Sequence, residues 1–408
     1  MLAMTKKIKV IFYAYSVNAL DHLAPYAVLC SKKNIPCTFI YGEDFFTNKV
    51  IAKKNIVKIF DDYNIQTYKS EIFKFGKKRF VQFLFCRIWL LINRLVETKY
   101  FPDGIKTFFK IKKISNKFLS IIDSNLIGKN LALKLLDDTS TTLIFVDHWE
   151  KGRKVLNSFL TEMQRKAKII GTGHGPVHFT SKDTSTIKTH SSLPYEDVFL
   201  ASNIWQANEN IAHKKIITGN LRYSNYWSSI LNKYIKKNKS NNFKNKRVLV
   251  LASPKHHTGD WNRMMRLMEK LVSKNNIDLK IVPHVRGMSS MKPPKILRDA
   301  WDEKTTLVDA VENTDLVLFW RSSGIFEAVL KDKEILFLSF VAQKNINFVW
   351  LENAPRDIII NEEIELFKAI DNYSKNSHKN NDCFKKVIWP EGDPWNNVSN
   401  FLDKFLND

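Results

Sequence analysis

Four cysteines in 408 residues, Cys30, Cys37, Cys86 and Cys383, stand at no paired spacing. That scatter suggests neither a disulfide framework nor a cysteine-built zinc site, and it fits a reducing cytoplasm. No stretch approaches the roughly 18 continuous apolar residues of a membrane span. Lys6, Lys7 and Lys9 lie near the start, but the apolar run behind them is short and reads as a strand, so no signal peptide is expected. There is no G-x-G-x-x-G, which removes the usual dinucleotide fingerprint. Nor is there a nucleic-acid motif, a basic stripe interleaved with aromatics on strands, or an internal repeat.

What is present is a strong excess of cations. Lys and Arg number 64 against 41 acidic residues, a formal charge of +23. Polyanionic substrates, nucleic acid or an anionic membrane surface would each explain it. A plain compositional origin stays open, because Lys, Asn and Ile are abundant throughout. The membrane surface is the preferred partner and nucleic acid is not expected. With 44% hydrophobic and 26% charged residues the composition is globular, and the length suits two domains of roughly 200 residues.

The stretch from Thr314 to Phe340 organises the rest. It reads as a strand over Leu316–Trp320, a turn at Arg321-Ser322-Ser323-Gly324, a helix through Leu330 and a second strand from Glu334. Continuous apolar runs between turn residues indicate strands buried on both faces, hence a parallel sheet covered by helices. Where such a strand hands over to a helix, free N–H groups favour an anion, and a serine hydroxyl either caps the helix or binds a phosphate oxygen. Glu327 follows within reach of a ribose hydroxyl. A serine cap with a first-turn acid answering the helix dipole is the purely structural alternative.

Taken in order, Ile8–Tyr15 is an opening strand, Ser16–Asp21 a polar turn, and His22–Lys32 a helix with Pro25 in its first turn. Cys37–Tyr41 is the second strand. His22 falls near the carboxyl end of the first strand, where open α/β sheets bind ligands. Lys74–Lys99 is an aromatic and aliphatic segment interrupted by Gln82, Arg87 and Asn93. It suits either the membrane interface, with Lys77, Lys78, Arg79 and Arg94 at anionic headgroups, or a buried helix. Strands at Leu143–Val146 and Lys168–Gly171 run into Asp147-His148-Trp149-Glu150 and Gly173-His174-Gly175-Pro176. Glycines flank His174 and leave its imidazole uncrowded, the setting of a general base, with a structural loop histidine as the alternative.

Strands at Asp197–Ala201 and Lys215–Ile217 precede Thr218-Gly219-Asn220-Leu221-Arg222-Tyr223. Tyr234–Arg247 holds no acid and no periodic apolar face, and reads as a basic linker. The pattern then restarts: a strand at Val248–Ala252, a polar loop with His256 and His257, a helix to Val272, a strand at Asp278–Val282, and Pro283-His284-Val285-Arg286-Gly287. A terminal amphipathic helix covers Asp393–Leu406. The expected organisation is a Rossmann-like domain over 1–233, the linker 234–247, a second Rossmann-like domain over 248–390, and a terminal helix over 391–408.

Four of these motifs carry a resemblance. The chain resembles GT-B glycosyltransferase-type proteins of bacterial surface-polysaccharide synthesis, and within them the CDP-glycerol glycerophosphotransferase and capsule-polysaccharide group. GHGP at 173–176 is similar to that group's HGTP-like motif, TGNLRY at 218–223 to its G-x-P-R motif, PHVRG at 283–287 to its donor-phosphate motif, and SSGIFE at 322–327 to its S-S-x-x-F-E motif. Pro176 stands in place of Thr, Asn220-Leu221 in place of the family's proline, and Tyr223-Ser224 where Asn-Asp is common.

The resemblance implies two Rossmann-like α/β domains of GT-B type facing a central cleft, with a C-terminal helix crossing back to the first. It implies a glycosyltransferase, or a glycerophosphotransferase-like enzyme, working without metal or cofactor. A nucleotide-sugar or CDP-polyol donor would lie mainly on the second domain. His284, Arg286, Ser322, Ser323 and Gly324 would hold its phosphates and Glu327 its hydroxyls. His174 would deprotonate the acceptor hydroxyl. His22, Gly219, Arg222 and His256 are further cleft candidates. No Asp-x-Asp occurs, so the metal-bound donor site of the other major glycosyltransferase fold is absent, and His256-His257 has no third ligand nearby. The acceptor would be a growing, lipid-linked surface glycan, and the enzyme cytoplasmic and peripheral on the inner face of the plasma membrane. A nucleotide-sugar 2-epimerase of the same fold, and a binding protein that has lost the chemistry, are the alternatives.

Overall fold

The computed structural model describes residues 7–14, 16–41, 54–69, 132, 135, 140–148, 154–164, 166–173, 179–180, 196–210, 212–234, 245–253, 255, 258–283, 293–342, 347–348, 351, 354–373 and 381–407. The first part runs β1 (Lys7–Ala14), α1 (Val17–Lys32), β2 (Cys37–Tyr41), α2 (Lys54–Asp62), β3 (Gln66–Lys69), β4 (Ser140–Asp147), α3 (Lys154–Met163), β5 (Ala167–Thr172), β6 (Phe179–Thr180), β7 (Val198–Ala201), α4 (Ile204–Glu209), β8 (Lys214–Ile217), a 3-10 turn at Leu221–Tyr223, and α5 (Asn225–Asn232). The second part runs β9 (Lys246–Ala252), α6 (Trp261–Val272), β10 (Ile277–Pro283), α7 (Leu307–Glu312), β11 (Leu316–Phe319), α8 (Ile325–Leu330), β12 (Glu334–Leu338), β13 (Asn347–Phe348), β14 (Ile359–Ile360), α9 (Glu363–Asn372), α10 (Asp382–Ile388) and α11 (Pro394–Asn407).

Two parallel sheets result. Seven strands lie in the order β3-β2-β1-β4-β5-β7-β8 and five in the order β10-β9-β11-β12-β14. The register sets Val10 beside Leu143 in the first sheet and Leu318 beside Val250 in the second. Along β1 alternate side chains enter different layers. Val10, Phe12 and Ala14 pack with α1, and Ile11 and Tyr13 pack with Leu156, Phe159 and Met163 of α3. That two-sided burial is why the strands read as unbroken apolar runs. Each fully buried Val, Ile or Phe here contributes about 1.5–3 kcal/mol.

In both sheets the strand order reverses beside a central strand, between β1 and β4 and between β9 and β11. Such switch points open a crevice at the carboxyl ends of the strands, where ligands bind in open α/β sheets. In the first sheet that end carries Ser16, the start of α1, and Asp147. In the second it carries Ser253 and the Arg321–Ser323 turn.

The terminal helix crosses back as expected. Val398 and Leu402 of α11 are buried in the core of the first sheet with Leu221 and Trp227. Trp395 packs at a tilt against Tyr226 with ring centroids 4.3 Å apart, and Lys33 reaches Asp403 at 2.6 Å. A second link between the halves is a short antiparallel ribbon of β6 and β13, with Phe179 opposite Phe348.

One expected element moves. Ser16–Asp21 is not a turn. Ser16 caps α1, its Oγ accepting from the Ala19 N–H at 3.3 Å, so the helix begins at Val17. Pro25 therefore lies inside the helix rather than in its first turn and cannot donate to the Asp21 carbonyl. Tertiary burial of the adjoining Leu23, Ala24, Ala27 and Val28 outweighs that loss. The aromatic segment 74–99 and residues 235–244 of the basic linker lie outside the described residues. Among the described residues, no helix is long and apolar enough to cross a membrane.

Candidate functional site

Two of the four motifs meet. The 3-10 turn Leu221–Tyr223 sends consecutive side chains to different places. Leu221 enters the core of the first sheet, Tyr223 enters the core of the second, and Arg222 lies between them. Asn220 forces the turn, its side-chain oxygen accepting from the Arg222 N–H at 3.1 Å. Ser224 then caps α5 through the Trp227 N–H.

Arg222 spans the two halves. Its Nε and Nη2 both donate to Oε1 of Glu327, at 3.1 and 3.0 Å, and its Nη1 lies 3.6 Å from Asp21 Oδ2 on α1. The Arg222 side chain is 13% exposed and that of Glu327 7%. Burial alone would lower the arginine's pKa. The neighbouring Tyr223, Asp21 and Glu327 outweigh it, so the guanidinium stays charged. Burial also raises the Tyr223 phenol well above its ordinary value despite the adjacent Arg222, which leaves its hydroxyl a neutral donor. That hydroxyl donates to the Ser323 carbonyl at 3.2 Å.

On the second sheet, Ser322-Ser323-Gly324 forms the turn between β11 and α8. The N-cap of α8 is Gly324 rather than a serine, and no side chain caps it. Ser322 Oγ instead accepts from the Gly324 N–H at 3.2 Å, so that amide already has a partner. A Cβ on Gly324 would lie 2.7 Å from Leu307 Cδ2, the end of a side chain that would have to shift to admit it. The turn is held from below by Ser253, whose hydroxyl donates to the Arg321 carbonyl. Burial lowers the pKa of the Arg321 guanidinium.

Gly219 belongs to the junction. It has φ +78°, and a Cβ there would lie 2.6 Å from Pro394 Cγ and 2.8 Å from the Ile388 carbonyl oxygen. The Asn220 N–H donates to that carbonyl at 3.3 Å, Asn203 Nδ2 to the Val387 carbonyl at 3.3 Å, and Trp389 Nε1 to the Tyr223 carbonyl at 2.7 Å. The motif thus seats the end of the first part on α10 and the start of α11.

His174, His284, Arg286 and His256 lie outside the described residues. The approach to His174 is described as far as Gly173, where a Cβ would sit 2.1 Å from Gln206 Oε1. Gln206 is buried and accepts there from the Ser202 N–H at 2.8 Å. His22 is buried on α1 beside Asp21. His148, after β4, holds its Nδ1 2.7 Å from the fully buried Glu196. Among the described residues, no group of three or more His, Cys, Asp or Glu forms a ligand set.

Sequence reasoning missed Asp21, Tyr223 and Trp389. Asp21 was hidden by reading the helix start as a turn. Tyr223 stood out only as a departure from the motif it resembles.

No family model matches the chain, and no curated protein matches it. Solved structures do resemble it. UDP-N-acetylglucosamine 2-epimerase from Rickettsia bellii is 11% identical with a TM-score of 0.52, covering 98% of this chain and 97% of its own. A Listeria monocytogenes chain provisionally given the same enzyme name is 10% identical with a TM-score of 0.51, covering 96% and 94%. The glycosyltransferase SnogD from Streptomyces nogalater is 9% identical with a TM-score of 0.47, covering 98% and 99%. At such identities likeness establishes architecture and not chemistry. The fold is that of two Rossmann-like units of GT-B type.

Proposed function

We propose that the chain is a GT-B glycosyltransferase-type enzyme that transfers a sugar or polyol-phosphate unit from a nucleotide-activated donor to a surface-glycan acceptor, without metal or cofactor. The observation that carries the reading is the meeting of the SSGIFE turn with TGNLRY at the switch-point crevice of the second sheet, with the buried carboxylate of Glu327 between them. A nucleotide laid in this crevice would place its sugar hydroxyls at Glu327. Its diphosphate would lie along the Ser322–Ser323 turn, with cationic help from Arg321, His284 and Arg286. Stabilising the departing diphosphate is the main demand of the reaction, and preorganised donors meet it. His174, two positions beyond β5 in the sequence, would take the proton of the attacking acceptor hydroxyl. A CDP-polyol donor and a lipid-linked acceptor at an anionic membrane surface are the finer form of the proposal. The resemblance of the four motifs and the charge of +23 support them.

One observation favours the 2-epimerase reading. Asp21, Asp147 and Glu196 are buried carboxylates near the carboxyl end of the first sheet, and acid–base chemistry on a bound nucleotide-sugar needs such groups.

A thermal-shift panel of nucleoside diphosphates and nucleotide-sugars tests the donor site, with Ser323→Ala and Glu327→Gln beside the parent. Stabilisation of the parent by one nucleotide, weakened in both variants, is expected. A flat response to every nucleotide would overturn the donor site. Epimer formation from free UDP-N-acetylglucosamine without acceptor would replace the transferase by the epimerase.

A further inference from the structure

The second sheet carries a cavity at the end away from the candidate donor site. It encloses about 310 Å³ beside Arg247 and Asp278, at the amino ends of β9 and β10, whereas the donor crevice lies beyond the carboxyl end of β9 at Ser253. The strand from Arg247 to Ser253 is about 20 Å long at roughly 3.3 Å per residue. Among the described residues, the lining comes wholly from the second part of the chain. Val248, Leu279, Ala300 and Ala310 form a buried apolar floor. Trp301 forms a wall. Its segment adds to the edge of β10, the Ile281 N–H donating to the Ala300 carbonyl at 2.7 Å and the Asp302 N–H to the Ile281 carbonyl at 2.8 Å. The indole is half-buried against the core of the second sheet, and its Nε1 donates to Glu303 at 3.1 Å, which fixes the ring.

The polar groups of the cavity narrow the ligand. Arg247 grips both oxygens of Asp315, at 3.1 and 2.6 Å, a fork-to-fork match that commits its Nε and Nη2. Lys280 holds Asp302 at 2.8 Å and the Thr305 hydroxyl at 3.2 Å. Two of the three ammonium N–H groups are thereby used, and the third remains for a hydroxyl oxygen. The exposed carboxylates of Asp278 and Asp299 stand at the mouth and can only accept. Three acids, Asp278, Asp299 and Asp302, line the cavity against the two bases Arg247 and Lys280. A phosphate or nucleotide is therefore repelled here, in a chain whose net charge is +23. A simple organic cation would leave the Lys280 donor unused. A pyranose uses every part: its hydroxyls donate to the carboxylates and accept from the ammonium, and its C–H face lies on the indole and the aliphatic floor. The volume is at the small end of the roughly 300–1,000 Å³ of ligand sites, which suits one or two sugar rings.

We propose that this cavity is a saccharide-binding site, separate from the donor site, that takes a neutral mono- or disaccharide unit. The saccharide follows from the cavity alone. That its occupant is an already assembled unit of the acceptor glycan, held away from the reacting end, rests on the transferase reading above.

The test is fluorine NMR on the full chain with its ten tryptophans replaced by fluorotryptophan, the Trp301 signal being assigned by its loss in Trp301→Phe. Glucose, galactose, mannose, N-acetylglucosamine, N-acetylgalactosamine, maltose and cellobiose are titrated one at a time. At least one is expected to move the Trp301 signal saturably. Asp278→Ala and Asp299→Ala, both at exposed positions, should each raise the Kd about two- to tenfold, the worth of one hydrogen bond. Ser323→Ala should leave the Kd unchanged, and an equal loss there would overturn the separateness of the two sites. A Trp301 signal unmoved by every sugar overturns the proposal. So does a shift that keeps its Kd in both aspartate variants, which would place the sugar elsewhere. Movement by spermidine or choline but by no sugar would replace the saccharide with an organic cation. Saturation by a sugar in a protein that binds no nucleotide upholds the saccharide site and removes only its role in the transferase reading.

Discussion

The Tyr223 hydroxyl donates to the Ser323 carbonyl at 3.2 Å, joining the 3-10 turn that leaves the first sheet to the serine turn of the second. The bond is partly buried, beside a buried tyrosine ring that lies 5.7 Å from Phe326 between centroids. Tyr223→Phe keeps the ring and removes only the donor. It is expected to cost about 1 kcal/mol, the usual net worth of one hydrogen bond. Hydrogen exchange should show faster opening around Ser323–Glu327 with little change in β1 and β4. Uniform protection would mean that the bond does not tie the two halves.

Gly219 and Gly392 both have positive φ, +78° and +87°, but only the first is crowded. A Cβ on Gly219 meets Pro394 and the Ile388 carbonyl, whereas one on Gly392 meets nothing within 4 Å. Gly392→Ala should therefore cost only the left-handed backbone strain, about 1 kcal/mol. Gly219→Ala adds steric contact with a backbone carbonyl and should cost at least about 2 kcal/mol. Melting temperatures of the two variants, measured side by side, check the order.

Gly173→Ala should displace the Gln206 amide, since the added methyl would sit 2.1 Å from its oxygen. The Ser202 N–H, which donates to that oxygen at 2.8 Å, would then be left buried without its acceptor, at about 1–3 kcal/mol. Faster exchange of the Ser202 amide by NMR is the specific sign. Destabilisation without that change would place the strain elsewhere.

Asp302 gives a pH dependence. Burial alone would raise its pKa, but bonds from Lys280, the Thr305 hydroxyl and the Thr305 and Lys304 amides hold it well below the ordinary value. A depressed carboxylate stabilises the fold at pH values above its unfolded pKa of about 3.9. That contribution, about 1 kcal/mol after solvent screening, fades as pH falls below 4 toward the folded value. Asp302→Asn should be the less stable protein at pH 7 and lose less on acidification from pH 5 to pH 3. Parallel losses by urea unfolding would rule out Asp302 as a source of acid sensitivity.

Much of the fold is legible in the chain. The runs at Leu143–Val146, Val248–Ala252 and Leu316–Phe319 are apolar without alternation because both faces of their sheets are covered, and that pattern alone implies parallel sheets between helices. Helix starts are read less well. A proline favours the first turn of a helix, which puts the start near His22, and only the packing of α1 on β1 and β4 reveals that the helix begins at Val17 and runs through the proline. β14 and the β6–β13 ribbon, two residues per strand, are too short for any period to register.

At the candidate site the sequence by itself determined which chemical groups are present and where each motif sits along the chain: a serine turn after a buried strand, an acid one turn later, and an arginine in the last motif of the first part. Only the tertiary structure decided that Leu221 and Tyr223, two positions apart, enter different cores, and that Arg222 meets a glutamate 105 positions away through one oxygen rather than two. Local backbone preference dictates the turn. The partner of a charged side chain is set by how two sheets pack, and no periodicity records that.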